Sequence, residues 1–182
     1  YVDPMSVRSC YPSSKRAAET LCVAYAHEFG VDVSVARPSH VYGPCFTEGD
    51  KRVYAEFIRD VIGGDDIVIK RDGMKFRSWC YVVDCASALL YILLKGESGK
   101  AYNIADESSN KTIRELAIMV ADIGGRQLRV ELPPDAAATG GTPITKAVFD
   151  TSRLRGLGWS VDGTMEEKMR ATIEEAARQA EA

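Results

Sequence analysis

An α/β layer protein is what this chain predicts, on three observations. Segments with helical spacing alternate with short β-branched runs, Gly and Pro punctuate the joints, and no internal repeat is present. In order, Ala18, Leu21, Cys22, Tyr25, Ala26 and Phe29 recur at helical spacing, which predicts a helix over Ser14 to Phe29 stopped by Gly30. Val31 to Ala36 reads as a strand, with Pro38, Gly43 and Pro44 marking a loop after it. Arg52 to Ile62 reads as a helix ended by Gly63 and Gly64, and Ile67 to Ile69 as a strand. A turn at Asp72 and Gly73 leads into the run Ser78 to Val82. Asp84 is suited to cap a helix reaching Leu94, with Gly96 beyond its end. Ala101 to Ile104 follows as a strand, and Thr112 to Ile123 as a helix with Gly124 and Gly125 behind it. Pro133 to Pro143 is loop-like in composition, and Thr164 to Ala180 reads as a closing helix of mixed charge.

Composition narrows the function classes. The 182 residues carry 23 Lys and Arg against 26 Asp and Glu, so no basic surface argues for nucleic-acid binding. The longest nearly unbroken apolar stretch, Ala86 to Leu94, is far short of the roughly 18 residues that a membrane span needs. Neither nucleic acid nor membrane is therefore expected as a partner, and no leader pattern opens the chain. The five cysteines (Cys10, Cys22, Cys45, Cys80, Cys85) form no CxxC pair, and only His27 and His40 could join them. No metal site is expected, and free thiols suit a reducing, cytoplasmic setting.

Chemistry enters at Tyr11-Pro12-Ser13-Ser14-Lys15. A Tyr and a Lys four apart on a helix share one face. A phenol ordinarily ionises near pH 10, too high for a base at neutrality. An ammonium about 5 Å away, at an effective dielectric of about 20, stabilises a phenolate by roughly 3 kcal/mol. At about 1.36 kcal/mol per pH unit, that brings a phenol about two units closer to neutrality. Such a group can take a proton from a substrate hydroxyl and return it. Spacing alone does not decide the matter, because Tyr91 and Lys95 share it. There the neighbours are bulky and apolar, and Lys95 has a helix C-terminus to favour its charge, so the second pair reads as structural.

Context separates the two pairs. Tyr11 to Glu19, then Val33-Ser34-Val35-Ala36-Arg37-Pro38-Ser39-His40-Val41-Tyr42-Gly43-Pro44, resembles the extended short-chain dehydrogenase/reductase family. More narrowly, the chain is similar to its NAD-dependent nucleotide-sugar epimerase, dehydratase and decarboxylase branch. The segment Asp72 to Asp84, with Arg77, Tyr81 and Val82, is similar to that branch's run of Arg, aromatic, Val and Asp after a glycine turn. Leu157-Gly158-Trp159 resembles its closing element. Four motifs in family order span roughly Tyr11 to Trp159.

The resemblance implies a fold and a set of roles. The fold is the C-terminal part of a Rossmann-like parallel sheet, in about 1–45, plus a small α/β substrate-binding lobe, mainly in about 46–182. Tyr11 would be the acid/base on the sugar C4 hydroxyl, and Lys15 its electrostatic partner and a ligand of the nicotinamide ribose. Pro38 and Val41 would line the nicotinamide end, and His40 the sugar, at a position where many relatives carry Asn. Arg77, and on weaker grounds Arg52, would meet the substrate diphosphate, a task suited to a planar charged fork. NAD or NADP would be the cofactor, a nucleotide-diphosphate sugar the substrate, and a homodimer the assembly. A dTDP-glucose 4,6-dehydratase-like reaction is the favoured expectation; the rivals are another reductase of the superfamily and a non-catalytic binding or scaffold domain. Trp159 and Leu157 read as packing residues.

No G-x-G-x-x-G or G-x-x-G-x-x-G turn occurs anywhere in the sequence. The dinucleotide-binding half of the family is therefore expected to be missing, and these residues alone are expected neither to hold NAD tightly nor to turn over. Uncovered sheet edges and apolar faces should follow.

Overall fold

The computed structural model describes residues 3–132 and 144–181. The loop read over Pro133 to Pro143 lies outside the described residues. A 3-10 turn (Val7–Ser9) leads into α1 (Cys10–Phe29), which starts four residues earlier than the spacing suggested. Pro12 sits in the first turn, where a missing N–H costs nothing. Gly30 ends the helix in the left-handed region, φ 64°, its N–H donating to the Ala26 carbonyl.

Strand β1 (Val35–Pro38) starts later than the β-branched run and ends on Pro38. It runs parallel to β5 (Ala101–Ile104), with Val35 opposite Ala101 and Arg37 opposite Asn103. The segment expected to be a loop holds a second strand, β2 (His40–Tyr42), after a step at Ser39 whose N–H donates to the Ile104 carbonyl at 2.8 Å. Parallel pairing with β4 (Phe76–Tyr81) supplies the reason, because it satisfies the β2 backbone while burying Tyr42.

Strand β4 organises the rest. It also pairs antiparallel with β6 (Asp106–Thr112) and parallel with β8 (Lys146–Ala147). Its side chains alternate between two apolar clusters, as the period of a strand requires. Trp79 joins Tyr42, Tyr54, Phe57, Leu116 and Met169, while the adjacent Cys80 joins Ile104, Leu154 and Trp159. The first cluster is enclosed by α2 (Val53–Gly63), α4 (Ile113–Gly124) and α6 (Met165–Ala180), and adjoins the parallel pair β3 (Ile67–Ile69) and β7 (Leu128–Val130). Thr112 and Thr164 begin α4 and α6 with capping boxes closed by Glu115 and Glu167.

Helix α3 (Val82–Lys95) corrects one expectation. Tyr81 occupies its N-cap, and Asp84 lies inside the first turn, 2.6 Å from Lys168 of α6. Both side chains are largely buried, so Asp84 links the two layers rather than capping the helix. Short α5 (Ser152–Arg155) precedes Leu157 and Trp159, which pack as expected; the Trp159 indole N–H donates to Ser87 Oγ at 3.0 Å.

Apolar faces stay uncovered. Helix α1 buries none of its side chains and exposes Leu21, Val23, Tyr25 and Phe29; α3 exposes Leu89, Leu90, Leu93 and Leu94. No described helix is long and apolar enough to cross a membrane. Because Trp159 is 4% exposed and fills the second cluster, Trp159→Ala should cost about 3–5 kcal/mol in urea unfolding, and Trp159→Phe far less.

Candidate active site

Helical geometry assembles the first part of the site. Tyr11 and Lys15 stand one turn apart on α1, with Lys15 Nζ 5.6 Å from the centre of the Tyr11 ring. Ser14 Oγ donates to the Tyr11 carbonyl at 2.8 Å, fixing the turn between them. Both line a cleft of about 510 Å³ between α1 and β1, whose lining also includes Pro38 and Phe149. Tyr11 is 71% exposed, so its hydroxyl is open to a ligand. Tyr11, Lys15 and Pro38 are the expected site residues that the structure brings together.

Two further charged residues share this cleft. Arg37 of β1 donates from Nε to Glu19 Oε1 at 2.7 Å, and from Nη2 to Glu19 Oε2. The bidentate Arg37 guanidinium holds the Glu19 carboxyl below its usual range, against a smaller opposing effect of burial. Glu19 stands one further turn along α1 from Lys15, and that repeat of four was the signal available in the sequence. Nothing in the sequence marked Phe149, which arrives from a distant segment.

His40, Val41, Arg52 and Arg77 lie outside that cleft and form a second group. The His40 ring is 5.2 Å from the Trp79 ring, on the neighbouring strand. Burial lowers the His40 pKa first, and the Arg77 charge lowers it further, opposed by a hydrogen bond with the Ser78 backbone. Both effects favour the neutral imidazole. Val41 is half-buried, and its carbonyl accepts from Arg52 Nη1 at 3.1 Å. Arg52 is half exposed and pairs with Asp50 at 2.6 Å, its guanidinium 5.0 Å from the Tyr54 ring.

Arg77 differs most from its expected surroundings. It is 5% exposed, and its guanidinium donates to the carbonyls of Phe76 at 2.8 Å, Thr145 at 3.3 Å and Ile144 at 2.7 Å. A side chain expected to present a free fork thus holds the backbone that enters β8. Among the described residues no group of three or more His, Cys, Asp or Glu could hold a metal ion.

The model of the NAD dependent epimerase/dehydratase family matches residues 2–105. The chain belongs to that family. It is 33% identical over 149 residues to UDP-glucuronic acid decarboxylase 5 of Arabidopsis thaliana, covering 80% of this chain and 43% of that protein. Among solved structures, a UDP-glucose 4-epimerase of Thermotoga maritima in complex with UDP-glucose superposes with a TM-score of 0.79 at 25% identity. That match covers 93% of this chain and 54% of the other. A dTDP-glucose 4,6-dehydratase of Bacillus anthracis in complex with NAD gives 0.81 at 23%, a likeness of fold, over 98% and 55%. The chain thus spans under half of the curated relative and slightly over half of the two solved chains.

The family's α/β fold and parallel strand pairing agree with the architecture above. The position of His40 can be tested directly. Its imidazole resonance should titrate with a midpoint below the ordinary value of about 6.5, and Arg77→Met should raise that midpoint by removing a like charge. Between the folded and ordinary values the unfolded chain binds more protons, so His40 makes stability fall as pH drops through that window.

Proposed function

We propose that this chain carries the acid/base pair and the substrate lobe of an NAD-dependent enzyme that oxidises the C4 hydroxyl of a nucleotide-diphosphate sugar. The observation that carries the reading is the Tyr11–Lys15 pair at an open cleft beside the end of a parallel strand. Ligands of α/β sheets bind beyond the carboxyl ends of such strands.

Tyr11 takes the C4 hydroxyl proton as the carbon loses hydride, and returns it only in those reactions that later reduce the C4 carbonyl. Lys15, whose Nζ lies 5.6 Å from the centre of the phenol ring, would hydrogen-bond a ribose hydroxyl. The donor set of the cleft, a phenol and an ammonium against Pro38, fits the nicotinamide–ribose end of NAD or NADP. That group, when bound, supplies the acceptor and later donor of the hydride. His40, as a neutral imidazole, can donate one hydrogen bond and accept another from the sugar. Arg52, half exposed beside the Val41 carbonyl, is the better placed cation for the diphosphate. Arg77 serves that end indirectly, by holding residues 144–145. Val41 lines the second wall through its backbone. Copies of the chain pair through the exposed apolar residues of α1, making the homodimer that sedimentation should detect.

The reaction after oxidation is open to dehydration, epimerisation or decarboxylation. Likeness to the dTDP-glucose 4,6-dehydratase is one of fold, whereas identity of 33% to the decarboxylase favours a UDP-linked uronic acid. Product analysis of the full-length protein with a panel of UDP- and dTDP-sugars tests the reading. Conversion of at least one sugar is expected, with kcat reduced about 10²- to 10⁴-fold in Tyr11→Phe and little change in KM. No conversion of any sugar in the panel would favour a reductase of another carbonyl or a binding domain. The 182 residues alone, lacking a glycine-rich phosphate turn, should show no tight NAD binding in a fluorescence titration.

A further inference from the structure

On α1, Tyr11, Lys15 and Glu19 follow one another at intervals of four and all line the same cleft. Lys15 therefore has a phenol one turn before it and a carboxylate one turn after it. The two compete for its ammonium. An ammonium and a carboxylate at this spacing attract one another, and a neutral phenol is the weaker partner. The structure shows the opposite preference. Lys15 Nζ lies over the Tyr11 ring, and Lys15 takes part in no ion pair among the described residues.

Arg37 accounts for that outcome. It reaches from β1 and occupies both oxygens of Glu19, Nε on one and Nη2 on the other. A planar fork that engages both oxygens neutralises the carboxylate, which weakens its pull on a second cation. With Arg37 and Glu19 neutralising each other, Lys15 is the one uncompensated charge of the trio, and it stands beside Tyr11.

We propose that Arg37 is a positioning residue: by sequestering Glu19 it prevents the carboxylate from capturing Lys15, and so keeps the ammonium on Tyr11. This rests on the reading of Tyr11 and Lys15 as the acid/base pair. The remaining titratable group of the cleft is Cys22 of α1, which the proposal leaves unaltered.

Three variants separate gating from mere bracing of α1. In the 182-residue chain, nuclear Overhauser contacts between the Tyr11 ring and the Lys15 methylenes report the pairing without any need for turnover. Arg37→Met should weaken these contacts and create new ones between Lys15 and Glu19. Arg37→Met combined with Glu19→Gln should restore the original pattern, and Arg37→Lys should largely keep it. If Arg37 only braces the helix, the double variant should resemble Arg37→Met or be worse. Either that result or unchanged Tyr11–Lys15 contacts in Arg37→Met would overturn the proposal. In the full-length enzyme, kcat should fall about tenfold in Arg37→Met and recover in the double variant. Restored contacts with kcat unmoved throughout would refute the acid/base role of Tyr11 while leaving the gating intact.

Discussion

One helical turn separates a phenol from an ammonium, and the chemistry proposed for this chain depends on that spacing. The turn alone is commonplace: Lys95 Nζ lies 4.7 Å from the Tyr91 ring on α3, closer than in the pair on α1. Lys95 also donates to the Leu157 carbonyl at 3.4 Å, and Tyr91 packs against the second apolar cluster. Tyr11 and Lys15 instead stand at an open cleft that β1 also lines. The same local geometry thus serves packing in one place and is available for proton transfer in the other. Surroundings, not spacing, make the difference.

Strand β4 and the pairing of β1 with β5 turn that local feature into a site. Parallel pairing with β5 sets where β1 ends, and so where Arg37 and Pro38 face α1. One residue on, the chain steps to β2 and is carried along β4, which places His40 beside Trp79. The two apolar clusters on either face of β4 give this frame its rigidity, and the Asp84–Lys168 ion pair adds a polar tie between α3 and α6. A buried pair of this kind punishes loss of either partner more than it rewards the presence of both.

Regular elements with apolar periodicity were legible in the sequence. The sequence pattern of Ala101–Ile104 matches the observed strand, and the patterns of α2, α4 and α6 match within a residue or two. Strand β6 was invisible because Asp106-Glu107-Ser108-Ser109-Asn110-Lys111-Thr112 has no apolar alternation. Its stability comes from pairing with β4 and from Asp106, which accepts hydrogen bonds from Ser108 and Ser109. Strand β2 was masked by the prolines on either side of it, Pro38 and Pro44. The Tyr11–Lys15 pair was legible because a helix fixes relations over four residues. Arg37 with Glu19, and Arg77 with the carbonyls of residues 144 and 145, were not, because tertiary pairing alone decides what a guanidinium meets.

Following a label on the sugar tests the central claim most directly. In the full-length protein, a nucleotide sugar carrying deuterium at C4 should pass it to the nicotinamide in a single turnover. That transfer should be nearly abolished in Tyr11→Phe and unaffected in Tyr91→Phe. Equal transfer by wild type and Tyr11→Phe, or deuterium that never leaves C4, would contradict the account.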